Sequence, residues 1–109
     1  MLIDFNAKEE RVFHGMNGGK GDVSAKMFMN SSGKVIVSRI KPGASIGLHV
    51  QTTGNDINFV AGGEGRAVCD GAEELLKAGV CHYCPKGSSH MIENTGTEDL
   101  VLYTVVQES

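Results

Sequence analysis

The sequence has no run of basic residues and no Lys/Arg stripe, and its formal charge is -3 at pH 7. Nucleic acid is therefore not an expected partner. No stretch approaches the roughly 18 apolar residues that a membrane-spanning helix needs, so no membrane segment is expected. The opening residues, Met1-Leu-Ile-Asp-Phe5, lack a basic stretch followed by a long apolar one. That is not a secretion signal, and the reading is of a cytoplasmic protein. Proline is scarce, at two residues, which separates the chain from disordered Pro/Gly compositions. Cysteine is scarce and odd in number: Cys69, Cys81 and Cys84. Reduced thiols fit better than a disulfide framework. No helix-turn-helix segment, internal repeat or linker is visible.

Glycine is what the chain has in excess, at 15 of 109 residues, about twice the usual ~7%. It punctuates short apolar runs, as tight turns between short strands require. Val35–Ile40 is β-branched and stops at Lys41-Pro42-Gly43. Asp56–Ala61 ends at Gly62-Gly63. Arg66–Cys69 runs into Asp70-Gly71, a two-residue hairpin signal. Val80–Cys84 ends at Pro85, and Leu100–Val106 is the longest apolar run. Turns recurring every 8–12 residues predict an all-β sandwich or barrel. Ala72–Ala78 is made of helix formers, yet it is two turns long and lies between a hairpin signal and Gly79. It reads as a strand. One domain spans residues 1–109. Residues 1–30 contain an N-terminal strand, with Met1–Phe5 as a possible edge, and the glycine-rich loop His14–Asp22. That loop lacks the spacing of a phosphate-binding loop. A mobile connection or a pocket rim is the better reading.

Two glycine-punctuated blocks carry the chemistry. In residues 42–63, His49 and Gln51 are two apart and project from the same strand face. Asp56 follows at the head of the next strand. In residues 79–94, His90 follows a Pro85-Lys86-Gly87 turn. Imidazole and carboxylate groups meeting in a small barrel make a divalent metal site. These blocks resemble the cupin superfamily, whose motifs are G-x5-H-x-H-x(3,4)-E-x6-G and G-x5-P-x-G-x2-H-x3-N. Gly79, Pro85, Gly87, His90 and Asn94 match the second motif throughout. Gly43, His49 and Gly63 match the first, while Gln51 replaces its second histidine and Asp56 its glutamate. The resemblance implies a double-stranded β-helix, a jelly-roll-like cupin barrel. It implies a divalent transition metal, iron, manganese, nickel or zinc, held by His49 and His90 with Asp56 or Gln51. Charge neutralisation favours Asp56 over Gln51 as the completing ligand.

Further positions invite a role in ligand binding. Asn58 shares a face with Asp56 and needs partners if buried. Arg39, among apolar residues, is a candidate clamp for a carboxylate at the pocket mouth. His82 shares a face with Cys84 and is either a satisfied histidine or a pocket residue. Cys81 and Cys84 point to opposite faces, which opposes a zinc or redox pair, and buried apolar packing is their expected role. His14 is expected to face solvent. Three functions fit: a metal-dependent enzyme acting on a small polar molecule, a non-catalytic small-molecule sensor module, or a metal-free structural barrel. Sheet edges and an apolar outer face point to a homodimer.

Overall fold

The computed structural model describes residues 1–108. Strands β1 (Arg11–His14), β2 (Asp22–Asn30), β3 (Gly33–Ile40), β10 (Leu100–Gln107), β5 (Asn55–Gly62) and β8 (Cys81–Cys84) form one sheet in that order. Strands β4 (Ser45–Val50), β9 (Ser89–Asn94), β6 (Glu64–Cys69) and β7 (Ala72–Lys77) form the other. All pairings are antiparallel. The two sheets close as the expected all-β, jelly-roll-like barrel.

Alternation along the strands decides what lies between the sheets. In β10, Leu100, Leu102, Thr104 and Val106 point inward, and Tyr103 and Val105 point out. Ile40, Val60, Leu100 and Leu102 meet Ala67, Leu76 and Ile92 of the facing sheet in one core. Each large aliphatic side chain buried there contributes about 1.5–3 kcal/mol. This apolar plug closes one end of the barrel. The next rows up β3, β10 and β5 are Ile36–Thr104–Asn58 and then Lys34–Val106–Asp56. Polar and charged groups therefore enter the barrel toward its other end.

The Asp70-Gly71 hairpin forms as read, between Cys69 and its partner Ala72. Both turn residues have positive φ, +48° and +83°, which is the type I′ geometry that suits strand twist. Ala72–Lys77 is a strand, with Leu76 buried in the core.

The N-terminal expectations need correction. Met1–Phe5 forms no edge strand. Asp4 instead caps a short 3-10 turn over Phe5–Ala7, accepting the Asn6 amide at 2.9 Å, and Met1 and Leu2 are exposed. The first strand starts at Arg11. The glycine loop is a rim rather than a loose connection. It is pinned to β4 by Ser45 N to Lys20 O at 2.8 Å and by Lys20 N to Ser45 Oγ at 3.0 Å. His14 is exposed yet has a partner in the Asp22 carboxylate across the β1–β2 pair. Of the cysteines, Cys84 is buried and Cys69 half-buried, but Cys81 is exposed on the outer face, so burial does not describe it.

Candidate metal and ligand site

His49 reaches the barrel interior because β4 is irregular. Its pairing with β9 shifts register between Ile46 and His49. Without that bulge, His49 would have the opposite parity to Ile46 and point outward. With it, Leu48 is exposed and His49 lies directly across from His90. The bulge requires glycine at position 47, where a Cβ would lie 2.2 Å from the Asn17 carbonyl oxygen. Gln51 is fixed from the second motif: Gln51 N donates to Ser88 O at 2.9 Å and Gly87 N donates to Gln51 O at 2.7 Å. The Pro85–Ser88 turn thus holds Gln51 against the histidines.

The side-chain atoms converge closely. His49 Nε2 is 3.0 Å from Gln51 Oε1, and His90 Nε2 is 3.2 Å from each of these atoms. Asp56 Oδ2 lies 3.3 Å from His90 Nε2. Among the described residues, no three His, Cys, Asp or Glu side chains alone form a metal-type cluster. The third vertex of the triangle is the Gln51 amide, and Asp56 stands at its edge.

Hydrogen bonds behind the rings set which nitrogen carries the proton. His49 Nδ1 lies 2.7 Å from the Gly47 carbonyl, which only accepts, so His49 carries a proton on Nδ1. Asn17 Nδ2, at 3.4 Å from the same nitrogen, is a weak second neighbour. His82 Nδ1 lies 2.6 Å from Glu74 Oε1, and His82 Nε2 lies 2.8 Å from His90 Nδ1. Where His82 Nε2 accepts this hydrogen bond, His90 donates from Nδ1 and its own Nε2 is bare. Burial, with His49 and His82 nearby, pushes the His90 pKa down to about 4. His90 is therefore neutral at pH 7, and its contact with Asp56 is not an ion pair. Burial raises the Asp56 pKa, against the opposing effects of Asn58, His49, His82 and Lys34.

The remaining sequence candidates separate. Asn58 is buried and satisfied within the protein: Thr104 Oγ1 donates to its Oδ1 at 2.7 Å, and its Nδ2 donates to Asp56 Oδ2 at 3.2 Å. It orients Asp56. His82 is buried behind His90, not on the cavity wall. Arg39 does not line the barrel cavity; it borders a groove on the outer face of the sheet, beside Val37 and Tyr103. Strand parity puts Ile36, Ser38 and Ile40 inside and Arg39 outside, exposed, 3.9 Å from Asp99. The cation that does line the cavity is Lys34, which sequence reading missed. Asn94 ties the turn after β9 to the core, donating to Ile40 O at 2.8 Å and Glu98 O at 2.7 Å. The cavity has a volume of about 280 Å³.

The family model for the cupin domain matches residues 36–106. The chain belongs to the cupin family. This cupin is 34% identical over 103 residues to the oxalate-binding protein of Thermotoga maritima, covering 89% of this chain and 84% of that protein. It superposes on a crystal structure from Thermotoga maritima, described as a predicted oxalate decarboxylase, with a TM-score of 0.92 and 28% identity over the whole of both chains. An RmlC-like cupin from Shewanella frigidimarina shares the fold at a TM-score of 0.82 and 16% identity, covering 99% of this chain and 90% of that one.

Proposed function

We propose that this cupin binds a divalent transition metal through His49, His90 and Gln51, and with it a small organic acid in the barrel. One observation carries the reading. His49 Nε2, His90 Nε2 and Gln51 Oε1, three atoms able to act as acceptors, face one another at 3.0–3.2 Å. Acceptors crowded together repel, and a cation between them reverses the sign of that interaction. Nitrogen and carbonyl donors of this kind suit iron, manganese, nickel or zinc. Asp56 sits at the edge, with a carboxylate that can balance the charge. When bound, the metal supplies Lewis acidity toward a carboxylate or carbonyl oxygen.

The oxalate-binding name of the Thermotoga relative supports a small acid as the ligand. In this reading the chain's own residues bind and orient. Glu74 and His82 hold the His90 ring, Gly47 O holds the His49 ring, and Asn58 holds Asp56. A second copy of the chain is the partner we assign to the outer face of the six-stranded sheet.

The test is metal titration of protein carrying no histidine tag, with manganese, iron, nickel and zinc. One equivalent is expected. His49→Ala and His90→Ala should each weaken binding at least about tenfold, since even outer partners of metal ligands cost 10–100-fold. Less than about a tenth of an equivalent with every metal would end the metal reading. Unchanged affinity in both variants would move the ion elsewhere.

A further inference from the structure

The cavity is built for more than two carboxylates. Its volume of about 280 Å³ equals that of roughly nine waters at ~30 Å³ each. Most of its wall is apolar: Phe13, Met27, Ile36, Ile46, Ile92 and Leu102 all face it. Oxalate has no carbon surface to set against them. The charged groups gather at one level. Lys34, Val106 and Asp56 are neighbours across β3, β10 and β5, and Asp56 touches His90. Below that level stand Ile36 and Leu102, on the way to the core.

Lys34 is half-buried, lines this cavity, and makes no ion pair among the described residues. Its charge acts on Asp56 across the intervening strand. A half-buried ammonium facing a cavity favours an anion within it. The two halves of the wall thus match a molecule with an acid head and an apolar body.

From this we infer that the ligand is a monocarboxylic acid with an aliphatic tail, its carboxylate facing Lys34 and its tail against Ile36, Ile46, Ile92 and Leu102. Lys34 is the specificity-determining cation. The inference rests on the proposed metal and acid site, and names the class of acid that site takes.

The experiment is calorimetric titration, with and without added manganese, of oxalate, pyruvate, 2-oxobutanoate, 2-oxopentanoate and 4-methyl-2-oxopentanoate. Each added methylene should tighten binding about fourfold until the cavity is full. Oxalate should bind more weakly than 4-methyl-2-oxopentanoate. Lys34→Met keeps the apolar stem and removes the charge. It should weaken every acid about tenfold or more, as loss of a charged hydrogen bond does, and leave manganese uptake unchanged. Oxalate binding best, a flat chain-length series, or unchanged acid affinity in Lys34→Met would each overturn the inference. The metal reading fails separately: no manganese uptake, with the chain-length trend and the Lys34→Met loss intact, would remove the metal and keep the acid.

Discussion

At the scale of the residue, the site turns on which atoms lie next to which. Charge alone puts Asp56 ahead of Gln51 as the completing ligand. The metal site proposed above puts Gln51 first instead, because Gln51 Oε1 touches both histidines and Asp56 touches one. Gln51→Ala should therefore weaken metal binding more than Asp56→Asn does. Titration of both variants checks this, and the opposite ranking would restore Asp56 to the inner set. His90 also predicts a pH dependence. Its folded pKa of about 4 lies below the ordinary 6.5. Between those values the unfolded chain takes up a proton that the folded chain refuses. The contribution of His90 is thus fully present above pH 6.5 and is lost as pH falls toward 4, by up to about 3 kcal/mol. Asp56 is shifted upward and works in the opposite direction, so it offsets part of that loss at the acid end. Urea denaturation of metal-free protein across this range should show the decline, and His90→Gln should flatten it. An equal slope in the variant would assign the effect to other groups. His49 and His90 were legible because the motifs fix their spacing. Lys34 was not, since Val35 and Val37 are as apolar as Ile36 and Ile40. With both faces of β3 apolar, sequence alternation cannot tell which parity points inward.

At the scale of the element, most strands were legible because β-branched runs end at glycine or proline. β2 was not: Asp22-Val-Ser-Ala-Lys-Met-Phe-Met-Asn30 has few β-formers, and its pairing with β1 and β3 makes it a strand. The β4 bulge was equally hidden, although it aims His49. Its need for glycine comes from contact with the loop at Asn17–Gly19, which is remote in sequence. Gly47→Ala should therefore act twice. A Cβ there meets Asn17 O at 2.2 Å and Gly19 N at 2.7 Å, which should cost about 2 kcal/mol of stability. It should also turn the His49 ring away and weaken metal binding about tenfold or more. Denaturation and titration together test this. A variant that is destabilised but binds metal normally would show that the bulge does not aim His49.

At the scale of the whole molecule, the outer face of the six-stranded sheet explains both the illegible parity of β3 and the proposed dimer. Across β3, β10, β5 and β8, register brings Val37 beside Tyr103, Tyr103 beside Phe59, Val105 beside Ile57, and Ile57 beside Tyr83. Phe59 is 52% exposed and Tyr103 53%. A contiguous apolar face of this kind marks an interaction surface in a soluble protein. Edge-to-edge pairing suits the molecule less well, because β1 and β8, the edges of this sheet, are four residues each. Face-to-face packing lets aromatic side chains from two copies interleave at the ~10 Å spacing of stacked sheets. A standard interface needs about 800 Å² from each partner; its centre here is the exposed set Phe59, Tyr83, Tyr103 and Val105 on β5, β8 and β10, since Val35 and Val37 of β3 share a groove with residues 2–6. Phe59→Lys and Tyr103→Lys place a charge at its centre without touching the cavity. Light scattering at micromolar concentration should give a dimer for the unaltered chain and a monomer for either variant, with metal uptake retained. A monomeric unaltered chain would reject the dimer. A dimer that survives both substitutions would move the interface to another surface.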